Sequence, residues 1–418
     1  MSESQGALPP KSKSSRRSGS QIFQTLLIPI LAVFTGLVFG AIVIIATDAG
    51  VITAYHHFFQ TPGLALQASW KAIALAYGSL ATGAFGSPTA LVQAIHVYRT
   101  TGNQKPLLMA IYPLSESLTA VTPYILAGLA VAVGFKCGLF NIGAEGQFGI
   151  GALTSAYVGY SITTLPWYIH LPLALLAGAA GGAIWGAIPG YLKATTGAHE
   201  VVNTIMMNYI SYSLADWLLN GPMKAPGYRP LTPEIQTTAQ LPRFFPDPLR
   251  FNWGFVLALV MVVLVYWFLN KTTAGLEIRA VGANPDGAKY AGMNIVKNFM
   301  LAMIISGALA GLAGATQVLG VDHWVGVNYS AGIGFNSIAI ALLGQGSTLG
   351  VVLAAGLWGF LSSGATNMQA MTNVPLDLIS IIQGLVVIFV AAPAMIRWLY
   401  HIRAARVETA VLTRGWGK

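Results

Sequence analysis

The sequence predicts an all-α, polytopic membrane protein with about ten transmembrane helices. Of its 418 residues, 55% are hydrophobic and only 8% are charged, whereas about a quarter of the residues in a soluble domain are charged. Residues 146–192 and 323–376 contain no Asp, Glu, Lys or Arg, and each stretch holds about two crossings of roughly 20 residues. Runs of this length exclude a transmembrane β-barrel, whose strands alternate in polarity and are only about 10 residues long.

The N-terminal part of the chain divides into three segments. Residues 1–20 are Ser-rich and basic, which predicts a disordered tail on the cytoplasmic face. The apolar run Ile22–Thr47 is too long for the core of a signal peptide and lacks a small-residue cleavage site, so we expect an uncleaved first crossing. Residues 48–112 mix charged residues with Gly and Pro, and we expect an extracytoplasmic segment that lies partly in the membrane interface as amphipathic helix.

Further crossings follow from the distribution of apolar residues. They are predicted at Tyr112–Phe135, Gly146–Thr164, Leu171–Leu192, Val201–Leu219, Trp253–Leu269, Phe299–Leu319, 331–343, 349–365 and Leu376–Trp398. A Pro-rich loop at 220–250 precedes the Trp253–Leu269 crossing.

One predicted crossing, Leu171–Leu192, carries glycines at four-residue spacing. Gly178, Gly182, Gly186 and Gly190 fall on one helix face and form a groove of bare backbone. This pattern predicts that a neighbouring helix approaches closely.

The basic residues predict which end of the crossings faces the cytoplasm. With both termini placed inside, 15 of the 22 Lys and Arg residues fall on the cytoplasmic side, in agreement with the positive-inside rule. We therefore divide the chain into a cytoplasmic tail (1–20), a membrane domain (21–406) and a second cytoplasmic tail (407–418). The net charge of +9 is spread over membrane-flanking loops, which argues against a nucleic-acid partner and for a lipid bilayer. The single cysteine, Cys137, excludes an internal disulfide and a multi-cysteine metal site.

The polar segment 271–298, between two predicted crossings, carries a compact helix signal. Asn284 suits the N-cap, Pro285 the first helical position, and Asp286 the positive end of the helix dipole. Gly292 suits a left-handed turn that ends the helix. The enclosed helix is about two turns long, so it needs a surface to dock on. We interpret segment 271–298 as the part by which another protein moves the membrane domain.

Two near matches to catalytic motifs fail at one position each. Gly282–Lys289 is similar to a phosphate-binding P-loop, but Ala288 separates the second glycine from the lysine, and an apolar run rather than a strand precedes it. Asn203 stands four residues after His199, where the helical zinc-protease motif has its second histidine ligand. We therefore expect no catalytic residue, no metal site and no nucleotide site in this chain.

Glu145 is the first candidate for a functional residue within the membrane domain. It lies in residues 138–147, Gly-Leu-Phe-Asn-Ile-Gly-Ala-Glu-Gly-Gln, a composition that does not suit a lipid-facing helix. Irregular backbone at membrane depth must be buried or line a water-filled cavity. Two interpretations remain open: a turn on the cytoplasmic side with Glu145 on a helix N-terminus, or a place in a translocation path or its gate.

Uncharged polar residues on predicted crossings either form interhelical hydrogen bonds or line a polar pathway. They are Asn203, Asn208, Asn336 and Gln383. The dipeptide Phe-Asn occurs at 140–141 and again at 335–336, each time before Gly/Gln-rich sequence. This repetition fits the internal duplication that many transporters contain.

Five segments, in order, carry a resemblance to a known family. They are GLFNIGAEGQFGIGAL (138–153), HEVVNTIMMNYI (199–210), GLEIRAVGANPDGAKYAGMNI (275–295), SGALAGLAGATQVLGV (306–321) and FNSIAIALLGQGSTLGVVLAAGLWG (335–359). In these segments the chain resembles the permease subunits of bacterial ABC importers, in the branched-chain amino acid/simple-sugar permease superfamily, and within it the nucleoside permeases. The longer basic tail, the extended residues 48–106 and His199 depart from that pattern.

The resemblance implies a bacterial inner-membrane subunit that binds no cofactor itself. It implies partner ATPase subunits that carry ATP and Mg²⁺, a second homologous permease subunit, and an extracytoplasmic substrate-binding lipoprotein. It also implies an ATPase-coupling loop at Gly275, Leu276, Arg279, Gly282, Asn284, Pro285, Asp286, Ala288, Tyr290, Ala291 and Gly292. We place the candidate translocation path at Phe140, Asn141, Glu145, Gln147, Asn203, Asn208, Phe335, Asn336 and Gln383.

Two alternatives to nucleoside import stay open. A permease of the same superfamily for simple sugars or branched-chain amino acids would use similar polar side chains. A secondary transporter, from a different class, would need coupling-ion carboxylates in the middle of its crossings.

Overall fold

The computed structural model describes residues 19–372 and 376–401, so the predicted tails 1–20 and 407–418 lie almost wholly outside the described residues. Within these ranges the chain is all-α, as predicted, with sixteen α-helices and two isolated β-bridges. The first eight helices are α1 (Gly19–Thr47), α2 (Ala49–His56), α3 (Pro62–Phe85), α4 (Pro88–Thr101), α5 (Lys105–Lys136), α6 (Ala144–Ser161), α7 (Trp167–Thr196) and α8 (Glu200–Asn220). The other eight are α9 (Gly254–Lys271), α10 (Thr273–Ala283), α11 (Pro285–Tyr290), α12 (Ile295–Gln317), α13 (Ile333–Leu343), α14 (Thr348–Thr372), α15 (Leu376–Ala391) and α16 (Pro393–Leu399).

Six of the described helices are long and apolar enough to cross a membrane: α1, α5, α7, α9, α12 and α14. Helix α12 continues through a π-helical turn at Val318–Asp322. Helices α6, α8, α13 and α15 lie at the other predicted crossings. Helix α13 has 11 residues, about 16 Å of helix, and therefore covers only about half of a ~30 Å hydrocarbon layer.

The glycine groove predicted on α7 is filled by α12, which confirms that prediction. A Cβ atom added to Gly182 would lie 2.2 Å from the carbonyl oxygen of Gly307, and one added to Gly311 would lie 2.3 Å from that of Gly178. No side chain fits at these distances, so backbone packs directly on backbone. The two antiparallel helices therefore form one closely packed pair.

Helix α3 packs along α14, a contact that the composition of residues 48–112 did not predict. A Cβ atom added to Gly364 would lie 2.3 Å from the carbonyl oxygen of Leu80. Next to this contact, Asn367 Nδ2 donates a hydrogen bond to the Ser79 carbonyl oxygen at 2.7 Å. Small residues on α3 and α14 thus make part of this segment a member of the bundle.

Helix α5 begins at Lys105, earlier than the predicted start at Tyr112, so Glu116 lies well inside the helix. Its carboxylate forms a two-pronged ion pair with Arg250, with Arg250 Nε donating to Glu116 Oε1 at 3.1 Å. Bidentate pairs of this kind fix geometry as well as contributing energy. The pair ties the loop before α9 to α5.

Segment 271–298 defines one end of the bundle, which we call the basal end. There, Gly282 of α10 lies against the backbone of Lys136 and Cys137 at the end of α5, and Lys136 Nζ lies close to Gly346 before α14. Because α15 follows α14 and Gln383 of α15 bonds back to Ser362 of α14, α15 returns toward the basal end.

The opposite, apical end is formed by residues 221–253 and 319–326. The Leu241 N–H donates to the Leu319 carbonyl oxygen at 2.8 Å, and the Thr232 N–H donates to that of Val325 at 2.9 Å. An isolated bridge between Leu231 and Gly326 adds to this contact. The Pro-rich loop is therefore fastened to the end of α12.

We expect Gly311→Ala to destabilise the protein, because the new methyl group would meet the Gly178 carbonyl; overpacking of this kind costs about 1–3 kcal/mol. Gly356→Ala on α14 is the matched control, since a Cβ atom there meets nothing within 4 Å and alanine favours the helix by up to about 1 kcal/mol. Thermal unfolding in detergent, followed by tryptophan fluorescence, measures both variants. Equal midpoints for the two variants would contradict the close α7–α12 contact.

Candidate functional site

Two crossings of the bundle are interrupted, each in its N-terminal half. Helix α6 begins at Ala144, after residues 137–143 have turned back into the bundle from the basal end. Helix α13 begins at Ile333, after irregular residues 323–332 have entered from the apical end. Both helices therefore start inside the bundle, and discontinuous helices of this kind form the binding sites of many transporters.

The two helix N-termini meet at Glu145. A Cβ atom added to Gly334 would lie 2.3 Å from both the backbone nitrogen and the Cα atom of Glu145, so only glycine permits this approach. The Glu145 carboxylate accepts hydrogen bonds from three backbone N–H groups at the start of α13. They belong to Gly332 (3.0 Å), Gly334 (2.7 Å) and Phe335 (3.2 Å).

These contacts explain why a carboxylate is found at a buried position. Glu145 is only 2% exposed, and an unpaired buried charge would cost several kcal/mol. The first N–H groups of a helix have no partner within the helix, and the positive end of its dipole favours an anion. The Glu145 carboxylate accepts hydrogen bonds from the first N–H groups of α13, and it places a negative charge at the positive end of the α13 dipole. Glu145 itself lies in the first turn of α6. Tyr212 of α8 also approaches the carboxylate.

Asn141 and Gln147 connect the break before α6 to helix α12. Asn141 Nδ2 donates to Gln147 Oε1 and to Ser306 Oγ, both at 2.8 Å, and Gln147 Nε2 donates back to Asn141 Oδ1 at 3.3 Å. Ser306 Oγ in turn donates to the Ala130 carbonyl oxygen of α5 at 2.6 Å. All three side chains are buried, and their direct hydrogen bonds link the break before α6 to α12 and α5.

Asn208 of α8 satisfies the backbone on both sides of the same break. Its Oδ1 accepts a hydrogen bond from the Gly146 N–H at 2.9 Å, and its Nδ2 donates to the Ile142 carbonyl oxygen at 3.0 Å. Buried backbone groups outside regular structure need partners of this kind. The Asn208 side chain of the neighbouring helix α8 therefore stabilises the irregular turn before α6.

The site lies near mid-depth of the bundle. Ser306 is about 16 Å along α12 from the first residue of that helix, Ile295, at ~1.5 Å per residue. A hydrocarbon layer is ~30 Å thick. The interruption of α6 and α13 thus falls where a solute crossing the membrane would be farthest from water on either side.

The structure brings most of the predicted path residues together but not all of them. Phe140, next to Asn141, packs its ring 5.3 Å from that of Phe135, and Phe335 and Asn336 lie in the first turn of α13, with Phe335 44% exposed. Gln383 lies apart from the site, on α15, where its Nε2 donates to Ser362 Oγ at 3.2 Å.

Asn203 is on α8, and its Nδ2 is buried without a partner among the described residues. Sequence reasoning missed Ser306 and Tyr212. A serine among small residues and a tyrosine on a crossing carry no signal of their own, since only the contact between distant helices reveals them.

At the basal end the predicted short helix is present. Helix α11 starts at Pro285, and Asn284 Oδ1 accepts a hydrogen bond from the Gly287 N–H at 3.0 Å. Gly292 has φ of 81°, as its predicted left-handed turn requires. These observations confirm the cap, the start and the stop of the helix. Tyr290 is 97% exposed and forms a projecting aromatic side chain at its end.

A second helix in this segment, α10, was not predicted, and it fixes α11 to the bundle. A Cβ atom on Gly275 would lie 2.0 Å from the Phe268 carbonyl oxygen, and one on Gly282 would lie 2.2 Å from that of Lys136. Leu276 of α10 is exposed, whereas Ala288 of α11 is buried. Segment 271–298 is therefore packed closely against α9 and α5 through α10, and Asn298 of α12 donates a hydrogen bond to Glu277 of α10 at 3.0 Å.

Both near-match motifs have other structural roles. Gly282 belongs to helix α10 and packs on α5. Glu200, in the first turn of α8, lies 2.8 Å from Lys193 Nζ and forms an ion pair that joins α8 to the end of α7.

Comparisons with known proteins agree with this architecture. Residues 114–391 match the family model described as branched-chain amino acid transport system, permease component. The chain belongs to this permease family. It is therefore a multi-pass membrane protein and a membrane subunit of a transport system.

The chain is similar to individual relatives over different shares of its length. The chain is 38% identical to the guanosine ABC transporter permease protein NupP of Bacillus subtilis, over 90% of this chain and 95% of that protein. It is 34% identical to the glucose ABC transporter permease protein TsgB13 of Haloferax volcanii, over 66% and 76%. A second guanosine permease protein of Bacillus subtilis, NupQ, is 27% identical over 59% of this chain and 79% of that protein. No solved structure matches significantly.

We expect Glu145→Gln to lower the stability of the permease by about 2–3 kcal/mol, because an amide NH₂ cannot accept the backbone N–H groups of α13 and leaves at least one of them unpaired. Glu200→Gln is the matched control, since the Glu200 carboxylate pairs with a single side chain, Lys193, and its removal leaves no backbone N–H group of another helix unpaired. Thermal unfolding midpoints in detergent measure both. Midpoints for Glu145→Gln that equal or exceed those of Glu200→Gln would contradict the role given to Glu145.

Proposed function

We propose that this permease is the membrane subunit of an ATP-driven importer for nucleosides. Its similarity to NupP, over nearly the whole of both chains, is the observation that carries this proposal. The interrupted α6 and α13 support it, since they place irregular backbone and polar side chains at mid-depth. A base and a ribose would suit such a site through stacking and hydrogen bonding.

The chain works without an ATP site of its own in this proposal. ATP and Mg²⁺ belong to partner ATPase subunits, and segment 271–298 is the coupling loop that docks on them. The exposed Tyr290 and the close packing of α10 on α9 and α5 support this role, because a projecting aromatic on a closely packed element suits the transmission of movement. The coupling loop, and both termini with it, face the cytoplasm of a bacterial cell.

The translocation path runs past the junction of α6 and α13. Asn141, Gln147 and Asn208 hold the broken backbone, and Glu145 keeps the two N-termini together. Phe335 and Asn336, which are partly exposed, are the side chains of α13 that contact the solute. Movement of the ATPase subunits changes the packing around this junction and opens it alternately to the two sides.

Two further partners complete the importer: a second, homologous permease subunit and an extracytoplasmic binding lipoprotein. The match to both NupP and NupQ, two guanosine permease proteins of one organism, supports a pair of different permease chains. The apical loop 221–253 is the surface that the lipoprotein reaches first.

A permease for simple sugars is the second candidate, because the chain is 34% identical to the glucose permease protein TsgB13. That match covers a smaller share of the chain than the match to NupP. Uptake of labelled guanosine into cells that carry the complete importer distinguishes the two. We expect unlabelled nucleosides to compete with the label, whereas glucose in the same excess leaves uptake unchanged. Absence of guanosine uptake, together with uptake of labelled glucose by the same cells, would favour the sugar permease.

We expect Tyr290→Ala to lower the affinity of the permease for the ATPase by at least about 30-fold, since removing an aromatic anchor at a protein interface costs about 2 kcal/mol or more of binding free energy. Tyr228→Ala is the matched control, because Tyr228 is also fully exposed but lies in the apical loop. Co-purification of the ATPase with each variant from membranes measures the effect. Full ATPase recovery with Tyr290→Ala would contradict the proposed coupling surface.

We expect uptake to stop in cells that are depleted of ATP but keep their ion gradients. The energy for transport comes from the partner ATPase in this proposal, so a gradient alone does not drive it. Accumulation of labelled guanosine before and after ATP depletion is the measurement. Undiminished accumulation would favour a secondary transporter.

A further inference from the structure

We propose that a cleft at the apical end of this chain binds a guanine nucleoside and holds it before it enters the bundle. Residues of the loop 225–234 and Trp324 line this cleft, which we call the apical cleft. The inference rests on the proposed function, since it assumes a nucleoside importer. It adds a binding site that shares no residue with the junction at Glu145.

The apical cleft has the size of a small-molecule site and lies beyond the membrane crossing. Its free volume is about 320 Å³, within the ~300–1,000 Å³ of small-molecule pockets. The crossing through α12 ends at Asp322, just before Trp324, so the cleft lies at the water-facing apical end. A contact with another protein buries far more surface, about 800 Å² on each partner. One small molecule is therefore the occupant that fits the cleft.

Main-chain hydrogen bonds fix the walls of the apical cleft. The Ala225 N–H donates to the Leu231 carbonyl oxygen at 2.7 Å and closes the neck of the loop. The Thr232 N–H donates to the Val325 carbonyl oxygen at 2.9 Å, and Thr232 Oγ1 accepts a hydrogen bond from the Val325 N–H at 3.0 Å. A frame that is formed before the ligand arrives lowers the entropy cost of binding.

Two aromatic side chains that line the cleft make no ring contact with other aromatic residues in the part of the chain that the structure describes. Tyr228 is fully exposed, and Trp324 is 42% exposed. Farther along the same loop, by contrast, Phe244 stacks on Phe251 and on Trp253, with ring centroids 5.1 and 5.3 Å apart. Stacking of a nucleic-acid base on an aromatic side chain strengthens binding by at least about fivefold. The free rings of the cleft therefore offer surfaces on which a base can stack.

The cleft also carries one positive and one negative side chain without partners. Arg229 and Glu234 line it, and among the described residues neither side chain forms an ion pair or a hydrogen bond. The other two arginines of the loop 221–253 are both paired, Arg243 with Asp247 and Arg250 with a carboxylate of α5. Those pairs fasten the loop, whereas Arg229 and Glu234 are exposed and available to a ligand.

A guanine nucleoside matches these side chains. An arginine can donate two hydrogen bonds to O6 and N7 of guanine, whereas adenine has an amino group in place of O6. A carboxylate can accept hydrogen bonds from guanine N1–H and its amino group, or from the ribose hydroxyls. The charges of Arg229 and Glu234 sum to zero, which suits an uncharged ligand. The phosphate of a nucleotide would be repelled by Glu234.

Photolabelling with 8-azidoguanosine tests this inference. The permease is purified from membranes that carry the complete importer, and the lipoprotein is left out of the assay. Mass spectrometry locates the adducts, and unlabelled guanosine, adenosine, leucine and glucose are titrated as competitors. Trp324→Ala removes one ring of the cleft, and Trp324→Phe keeps an aromatic ring there.

Trp167→Ala is the matched control for Trp324→Ala. Trp167 is 62% exposed and lies at the start of α7. One turn later His170 Nδ1 lies 2.8 Å from Thr238 Oγ1 in the loop 221–253, so Trp167 is at the same end of the bundle. It does not line the cleft.

We expect adducts within residues 225–234 or at Trp324, and guanosine to compete at lower concentrations than adenosine does. Trp324→Ala raises the guanosine concentration needed for half-competition at least about fivefold, because a stacking surface is lost. Trp324→Phe and Trp167→Ala leave that concentration nearly unchanged.

We expect Arg229→Gln to raise the half-competing concentration of guanosine at least about fivefold and to leave that of adenosine unchanged, because the arginine reads O6 and N7 together. Arg243→Gln is the control, since Arg243 belongs to the same loop but does not line the cleft. A general folding defect would change the values for both nucleosides alike.

Adducts confined to other parts of the chain, equal competition by leucine or glucose, or an equal effect of Trp167→Ala would overturn the inference. A cleft that takes no nucleoside but crosslinks to the lipoprotein from Tyr228→p-benzoylphenylalanine would overturn it too. Uptake of labelled guanosine is measured in the same cells. If uptake is normal while the cleft stays unlabelled, the apical cleft fails as a binding site but the proposed function stands; if guanosine is not taken up, the proposed function fails.

Discussion

The pairing of the Glu145 carboxylate with the first N–H groups of α13 is the interaction on which the interior of this permease depends. Two crossings of opposite direction begin at mid-depth, and both present the positive end of a helix dipole to the same place. Without an anion between them, these ends would repel each other and leave backbone donors unpaired in an apolar surrounding. The Glu145 carboxylate supplies the negative charge and accepts the backbone N–H groups. Gly334 permits this close approach because no residue with a side chain fits against the Glu145 backbone.

The parts around this junction divide into fixed and irregular elements. The α7–α12 pair packs backbone against backbone through glycines, which leaves little freedom for relative movement. Segments 137–143 and 323–332, in contrast, are irregular, and side chains from other parts of the chain complete their hydrogen bonding: Asn208 donates to the Ile142 carbonyl oxygen, and Glu145 accepts from the Gly332 N–H. The polar network from Asn141 to Ser306 attaches the first of these segments to the fixed pair. A change in that network would therefore act on the junction and leave the α7–α12 pair intact.

A short, contiguous route joins the basal end to the junction. Helix α10 contacts the end of α5 at Gly282, and the chain continues from Lys136 through residues 137–143 directly to Glu145. A displacement of α10 by a bound ATPase would thus reach the site through fewer than ten residues of packed backbone. This proximity is consistent with the proposed coupling of segment 271–298 to transport.

Much of this architecture follows from the sequence alone. The apolar runs located a helix at each predicted crossing, the spacing of Gly178 and Gly182 predicted the groove on α7, and Asn284, Pro285 and Gly292 predicted α11. Each of these signals lies within a single segment of the sequence, so it can be recognised without knowing which helices pack together. The partner of Glu145 could not be predicted in the same way, because the donors come from Gly332 to Phe335, far along the chain. The same holds for the α3–α14 contact and for Ser306, whose roles arise only when distant helices pack together.

Backbone amide exchange at Gly332–Phe335, followed by mass spectrometry for the native protein and for Glu145→Gln, measures whether the Glu145 carboxylate holds the start of α13. We expect slow exchange at these amides in the native protein, exchange faster by at least about tenfold in Glu145→Gln, and unchanged rates in Glu200→Gln. Equal protection of these amides with and without the Glu145 carboxylate would show that the carboxylate does not hold the start of α13.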